Sequence, residues 1–276
     1  MLHSILLAVN ASTASQVAAA QAVDLARRLG GQLLAVEVND TRDAALGSYR
    51  LDGQLAFQAA DAMPPRAISR HSPSRSGALA GVARAALEAG VSCRTANPSG
   101  IPAEVLLEAA VDSDLIVMGR HGDARGRRTP RGLSGVVEAV LRQASQSVLL
   151  AGVEFEPPRR ILLGFDGRAP ARATMSVAFE LAQRLALPAC ALSAHTKPGA
   201  ARRQLDAVEH FASAHGVEVE THAVAGAPVP ALLELAEEDD LIAIGAFGEG
   251  RLHEWLKGST TADLLNAAPQ PVLLHR

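Results

Sequence analysis

Short runs of apolar residues alternate along this chain with longer segments in which apolar residues recur every three or four positions. The run 5–9 is short and continuous, which predicts a buried strand. A helix is expected behind it, capped by Ser12 or Ser15, and the run 33–38 predicts a second strand. The apolar residues of that helix fall on one face: Ala18, Ala22, Leu25 and Leu29. Such alternation is typical of an α/β fold with a parallel sheet, right-handed crossovers and helices on both faces.

The chain carries this pattern twice. Three pairs of segments match: 6–10 with 162–166, 114–119 with 240–245, and 148–150 with 272–274. We therefore predict two tandem domains, residues 1–153 and 154–276, each built on a doubly wound parallel sheet. The first domain has an insertion at 41–76, and a surface loop, a lid and a dimer contact remain alternatives for it.

The most informative stretch follows the apolar run 241–244, which predicts a buried strand closed by glycine. Glycine then recurs at fixed spacing and is followed by hydroxyl residues at the expected start of a helix. The residues of this pattern are Gly245, Gly248, Gly258, Ser259, Thr260 and Thr261. Residues without a Cβ let backbone N–H groups approach a ligand closely, and hydroxyls at a helix N-terminus are further donors. The stretch therefore predicts a phosphate site.

A carboxylate is expected beside this stretch. Asp166 ends the first strand of the second copy, and Gly245 ends its fourth. Ligands of doubly wound sheets bind beyond the carboxyl ends of the strands, where the strand order reverses. We therefore expect Asp166 and Gly245 to face one crevice. The structural alternative is an acid placed near a helix N-terminus, where the helix dipole stabilises its charge.

The spacing of the three glycines and the serine resembles the nucleotide-binding signature of the universal stress protein family, G-x2-G-x9-G-[S/T]. The resemblance covers nearly the whole chain twice and implies a tandem, Rossmann-like member. It implies ATP as the ligand, with Asp166 at the nucleoside end and the glycines and Ser259 on the ribose and phosphates. Thr260 would be a further donor or a plain helix residue. Mg2+ would be carried by the phosphates, since no carboxylate pair is available to hold it independently.

The resemblance also implies how the two domains assemble. In the family, single domains pair through their final strands, so the last strands of the two copies, 147–150 and 272–275, should pair within one chain as an intramolecular pseudo-dimer. An edge strand left open would otherwise invite association. We also expect a homo-oligomer, a dimer of tandem chains, although no separate sign of it is readable in the sequence.

The first copy departs from the signature at both ends of the expected ligand. Asn10 stands where the second copy has Asp166, which removes a negative charge and adds an amide donor. Two alignments of the later loop are open. One places Leu133 where a hydroxyl is expected, and the preferred one places Ser134 and Gly135 in inverted order. We therefore expect ATP in the second copy and weaker binding, a different ligand or none in the first.

The same loop of the first copy is rich in arginine: Arg120, Arg125, Arg127, Arg128 and Arg131. Arginine forks bind phosphate bidentately, so an anionic ligand or partner is one interpretation. A solvated surface loop in an arginine-rich chain is the other.

Composition narrows the class of protein. The chain has 276 residues, 48% of them hydrophobic, and no apolar run of the roughly 18 residues that a membrane span needs. Its two cysteines, Cys93 and Cys190, indicate neither a disulfide framework nor a zinc site. The net charge of -3 argues against general nucleic-acid binding. Because the start lacks the features of a signal peptide, we expect a cytoplasmic protein without a membrane partner.

Three classes of function fit these residues. The first, which we favour, is an ATP-binding stress-response or regulatory protein that holds the nucleotide mainly in the second domain and needs no turnover. The second is a slow enzyme that hydrolyses ATP or transfers a phosphoryl or nucleotidyl group, and the third is a dimerisation scaffold without nucleotide. The sequence supplies a phosphate cradle but no identifiable base or water-positioning residue, so no catalytic residue is assigned.

Overall fold

The computed structural model describes residues 2–41, 77–120, 133–197, 199–246 and 260–276. Within these ranges the strands are β1 (Ser4–Val9), β2 (Gln32–Glu37), β3 (Asn39–Asp40), β4 (Ser92–Ala96), β5 (Ser99–Gly100), β6 (Leu115–Met118), β7 (Ser147–Leu150), β8 (Arg160–Gly164), β9 (Ala189–His195), β10 (Val219–Ala225), β11 (Asp240–Gly245) and β12 (Val272–His275). The helices are α1 (Thr13–Leu29), α2 (Ala78–Glu88), α3 (Pro102–Ala109), α4 (Gly135–Gln143), α5 (Ala169–Leu185), α6 (Ala200–Ala214), α7 (Pro228–Leu235) and α8 (Thr260–Ala267). Most of the expected insertion, residues 42–76, lies outside the described residues.

Ten of these strands form one sheet in the order β10-β9-β8-β11-β12-β7-β6-β1-β2-β4, and β3 pairs with β5 separately. Neighbouring strands of the large sheet run parallel except β7 and β12. In the first half β1 lies between β2 and β6, and in the second half β8 lies between β9 and β11. The strand order therefore reverses between β1 and β6 and again between β8 and β11. The predicted α/β fold of two doubly wound parallel sheets is confirmed.

The antiparallel pair of β7 and β12 joins the two halves. Its paired residues are Val148 with Leu274, Leu149 with Leu273, and Leu150 with Val272. All six side chains are buried. The predicted pairing of the final strands within one chain, as an intramolecular pseudo-dimer, is confirmed.

Helices cover both faces of the sheet. Residues of α1, α2, α5 and α6 share one apolar cluster, and residues of α3, α4, α7 and α8 share another on the opposite face. Leu149 and Leu273 belong to the first cluster, while Val148 and Val272 belong to the second, because side chains alternate between faces along a strand. The core is therefore continuous across the junction. The four apolar residues predicted for one face of α1 are all buried.

A repeated aspartate anchors the amino ends of the equivalent strands β6 and β11. Asp240 is fully buried, and its two carboxylate oxygens each accept a 2.7 Å hydrogen bond from Arg160 on β8. This hydrogen bonding raises the pKa of Arg160. Asp114 instead accepts 2.8 Å bonds from the backbone N–H groups of His3 and Ser4. The repeat of this aspartate in the sequence therefore has a structural cause.

Two arginines at equivalent positions tie the halves together reciprocally. Arg184, near the end of α5, donates to the carbonyl of Leu29 at the end of α1 and to that of Leu2. Arg28, near the end of α1, donates to the carbonyls of Leu185, at the end of α5, and Pro158. Each cation thus meets the last carbonyls of the other half's helix, where the helix dipole favours positive charge.

The junction also contains a titratable group. Nδ1 of His275 lies 2.9 Å from Oγ of the buried Ser147, across the antiparallel pair. Burial lowers the pKa of His275 from its ordinary 6.5, because the charged ring would lose contact with water. The unfolded chain therefore binds this proton more readily than the folded one. The stability contributed by the neutral ring is complete above pH 6.5 and declines as the pH falls through the folded-state pKa.

We predict that acidification weakens the fold through this histidine. His275→Asn should keep a hydrogen-bonding atom near Ser147 without a titratable ring. The melting temperature of the wild-type chain should then fall more steeply between pH 7 and pH 5 than that of the variant, measured by circular dichroism in matched buffers. Identical pH slopes for the two proteins would contradict the assignment.

Candidate functional site

Asp166 and Gly245 emerge at the same edge of the sheet. β8 and β11 are parallel neighbours, with Ile244 opposite Gly164, so the chain leaves both strands in the same direction. Asp166 lies two residues beyond β8, and Gly245 is the last residue of β11. This is the position in the second half where the strand order reverses, which is the place where doubly wound folds bind ligands. The two residues therefore lie at one edge of the sheet, and that they face one crevice stays a prediction.

The phosphate end of the expected site is described only in part. Gly248, Gly258 and Ser259 lie outside the described residues, and their roles stay predictions. Thr260 is the first residue of α8, so a helix does begin directly behind the glycine–serine pair. Because α8 leads into β12, which runs parallel to β11, its N-terminus lies at the carboxyl edge of the second half.

The carboxylate of Asp166 forms a local turn. Its Oδ1 accepts a 3.0 Å hydrogen bond from the backbone N–H of Arg168, and Oδ2 lies 3.6 Å from Nε of the same arginine. Asn10 forms the equivalent turn in the first half, accepting a 2.8 Å bond from the N–H of Ser12. The same side-chain hydrogen bond therefore forms in both halves, but the charge differs, and so does the backbone at the next residue: Gly167 has a φ of 76°, whereas Ala11 has no positive φ. With its side chain 56% exposed, Asp166 retains acceptor capacity for a ligand.

Gly245 has a packing role that sequence reasoning missed. A Cβ at this position would lie 2.4 Å from the backbone nitrogen of Ala171, in the first turn of α5. Gly119 ends the corresponding stretch of the first half, and a Cβ there would lie 2.7 Å from the carbonyl of Ala14. Both glycines allow the N-terminal turn of a helix to approach the strand end closely. The presence of glycine at this position in both halves was the feature of the sequence that could have indicated this packing role.

Arg120 does not fit either interpretation of the arginine-rich loop. Its side chain is buried, and Nη1 donates a 3.0 Å hydrogen bond to the carbonyl of Leu265 in α8. The guanidinium also donates to the carbonyls of Ala268 and Gln270. Desolvation lowers its pKa to about 10, which leaves it charged at neutral pH. Arg120 therefore satisfies the last carbonyls of a helix in the other half, while the remaining four arginines lie outside the described residues.

The second alignment of the first-half loop agrees with its helix. Ser134 caps α4, its hydroxyl accepting a 3.2 Å hydrogen bond from the backbone N–H of Val137, and Gly135 begins the helix. Leu133 is buried in the apolar cluster on this face. Serine here is occupied as a helix cap. A leucine in the core offers no donor to a phosphate.

The described residues offer little for covalent or metal chemistry. Across those ranges, no group of three or more His, Cys, Asp and Glu side chains could hold a metal ion. Cys190 is buried, and desolvation raises the pKa of its thiol to about 11, which disfavours the nucleophilic thiolate. In the same part of the chain, no helix is both long and apolar enough to cross a membrane.

Comparison with known proteins decides the family. The model of the universal stress protein family matches residues 1–152 and again residues 158–276. The chain belongs to the universal stress protein family. A universal stress protein of Synechocystis is 24% identical over 289 residues and covers all of both chains.

Solved structures of universal stress proteins share the fold over the full chain. One from Archaeoglobus fulgidus, 19% identical, has a TM-score of 0.76 and covers 100% of this chain and 99% of its own. Another, a putative universal stress protein from Pseudomonas aeruginosa, is 17% identical with a TM-score of 0.64, and covers 99% of this chain and 93% of its own. At these identities the likeness is evidence of the fold alone.

The packing role of the strand-end glycines predicts a stability effect in both halves of this universal stress protein. Gly245→Ala and Gly119→Ala should each lower the free energy of unfolding by about 1–3 kcal/mol, because the new Cβ would overlap helix backbone. Gly81→Ala is the matched control, since a Cβ in the middle of α2 meets nothing within 4 Å. It should stabilise the chain by about 0.5–1 kcal/mol. Urea unfolding measures all three, and wild-type stability of Gly245→Ala would contradict the packing role.

Proposed function

We propose that this universal stress protein binds ATP in the half formed by residues 154–276, at the crevice beyond β8 and β11. The observation that carries the proposal is that Asp166 and Gly245 end neighbouring parallel strands at one edge of the sheet, where the strand order reverses. The exposed carboxylate of Asp166 can accept hydrogen bonds from a nucleoside. The N-terminus of α8, with Thr260 as its first residue, supports the placement of phosphates nearby.

The phosphates are assigned to the glycine–serine pattern. Backbone N–H groups of Gly248 and Gly258, with the hydroxyl of Ser259, would hold them at the start of α8. Mg2+ would be carried by the phosphates. Magnesium usually keeps several waters and is bound through substrate phosphates.

The half formed by residues 1–153 is proposed to bind ATP weakly or not at all. Asn10 lacks the negative charge of Asp166 although it accepts the same hydrogen bond from the backbone two residues further on. Ser134 is engaged as a helix cap, Leu133 is buried, and Arg120 is bound to carbonyls of the other half. Among the described residues of the first half, these groups are thus used for folding.

We favour regulation by nucleotide occupancy over turnover. No residue of the described site is placed as a general base or as a group that orients a water for attack on phosphate. An assay of ADP release separates the two classes. Turnover well above that of a Gly248→Val variant would favour a slow ATPase, whereas binding without turnover supports a regulatory protein.

Asp166→Asn tests the proposal with the protein's own first half as a guide. The amide oxygen of Asn10 accepts the same backbone hydrogen bond as the carboxylate of Asp166, so the variant should keep the loop after β8 intact. Losing one charged hydrogen bond typically costs ~1.5–3 kcal/mol, so the dissociation constant for ATP should rise by about ten- to a hundredfold. Isothermal titration calorimetry on the full chain measures this change.

The matched control is the reverse substitution, Asn10→Asp, which leaves the proposed site untouched. Its affinity for ATP at the second half should equal that of the wild type. Titration with GTP adds a test of base recognition, since equal affinity for ATP and GTP would remove the adenine assignment. Unchanged ATP binding by Asp166→Asn would overturn the role of this carboxylate.

A further inference from the structure

A cavity lies beside Asp166, between the first turns of α5 and α6. It has a volume of about 380 Å3, which is within the size range of small-molecule sites. Its charged lining consists of Arg168, Arg172, Arg203 and Asp166. Three arginines thus surround the cavity with a single carboxylate among them. Among the ion pairs of the described residues, this carboxylate pairs with Arg168 and with neither of the other two arginines.

The other two arginines of the cavity differ from Arg202, a nearby arginine outside it, because they lack a carboxylate partner. Within the described part of the chain, neither Arg172 nor Arg203 forms an ion pair. Arg202, next to Arg203 on α6, lies 2.6 Å from a carboxylate oxygen of Glu209 and 3.2 Å from one of Asp206. Arg202 does not line the cavity. The arginines that face the cavity are therefore the ones left to bind an external anion.

The two helix ends add to the positive potential. α5 begins after Arg168 and α6 after Gly199, and neither N-cap residue makes a side-chain capping hydrogen bond. Neither helix has an acidic residue in its first turn. Nη1 of Arg203 lies 3.3 Å from the place of a Cβ on Gly199, so this guanidinium returns over the start of its own helix. Uncapped N–H groups and guanidinium groups together favour an anion.

The cavity wall is held in place by two hydrogen bonds of Gln204. Nε2 of Gln204 donates a 2.9 Å hydrogen bond to the backbone carbonyl of Asp166, which fixes α6 against the loop after β8. Oε1 of Gln204 accepts a hydrogen bond from the hydroxyl of Ser193, a fully buried residue of β9. The relative position of the two helix N-termini is therefore built into the fold.

The first half lacks this arrangement, although it has the same fold. At the positions equivalent to Arg168, Arg172 and Arg203 it has Ser12, Gln16 and Gly77. Ser12 caps α1 through its hydroxyl, which accepts a 3.1 Å bond from the N–H of Ser15. The arginine cluster is therefore not a requirement of the fold.

We infer that this cavity is a binding site for a phosphate group, separate from the cradle proposed for the phosphates of ATP. The cavity lies beside α6, on the β9 side of β8, whereas the cradle belongs to the loop after β11, on the other side of β8. The phosphate belongs either to a free small phosphate compound or to a second phosphorylated position of a nucleotide held at Asp166. Arg172 and Arg203 are its main charged contacts.

Calorimetric titration of the full chain with pyrophosphate at constant ionic strength tests the site. The double variant Arg172→Gln/Arg203→Gln should bind pyrophosphate at least about tenfold more weakly than the wild type, because each charged hydrogen bond typically contributes about that factor. The control, Arg202→Gln, removes one positive charge at the position next to Arg203 and should bind like the wild type. No binding by the wild type, no change in the double variant, or an equal loss in the control would overturn the site.

ATP and adenosine 3′,5′-bisphosphate identify the source of the phosphate. If the bisphosphate competes with pyrophosphate and binds the double variant more weakly than the wild type, the phosphate in the cavity belongs to the nucleotide. Simultaneous binding of pyrophosphate and the bisphosphate assigns it to a free compound. ATP should bind the double variant as it binds the wild type, and an equal loss for ATP would mean that its own phosphates occupy the cavity, which overturns a separate site. Arginine-dependent pyrophosphate binding without any ATP binding would refute the proposed function and leave this inference standing.

Discussion

The antiparallel pairing of β7 with β12 is the interaction on which the rest of the structure depends. Each half ends in a short, buried, apolar strand, and such a strand exposed at an edge would be a ready site of association. Pairing the two strands removes both edges at once and makes a ten-stranded sheet with a continuous core on each face. The reciprocal contacts of Arg28 and Arg184 stabilise the same arrangement from the helix layer.

The direction of this pairing also sets the relation between the two halves' ligand edges. Because β7 and β12 are antiparallel, the carboxyl edge of one half is at the amino edge of the other. The loop after β6 therefore reaches the C-terminal end of α8, where Arg120 meets the carbonyls of Leu265, Ala268 and Gln270. The opposite end of α8 lies at the proposed phosphate cradle. One helix thus connects the cradle of the second half with the loop of the first.

The local pattern of the sequence was enough to predict the two copies of an α/β domain, because buried parallel strands are short apolar runs and those runs repeat. The pairing of 147–150 with 272–275 was predicted from the resemblance to the universal stress protein family. Asp166 and Gly245 could be placed at one edge because the topology of such sheets is restricted. The turn made by both Asp166 and Asn10 was not readable, since it depends on backbone geometry that either residue can adopt.

Contacts between distant parts of the chain could not be predicted in the same way. Arg120 bonds to residues about 145 positions away, so no local spacing distinguishes it from the other arginines of its loop. Arg172 and Arg203 come from two helices that meet only after folding. Gly245 was assigned to the ligand alone, because its packing against Ala171 is a tertiary contact that the sequence pattern does not reveal.

We propose that the two copies of this fold have unequal sites, with the nucleotide in the second. A crystal structure of the full chain grown with excess ATP and Mg2+ tests this asymmetry. We expect one nucleotide per chain, beyond the ends of β8 and β11, with Asp166 at the nucleoside and the phosphates toward the start of α8. ATP beyond β1 and β6 alone, or ATP at full occupancy in both halves, would contradict it.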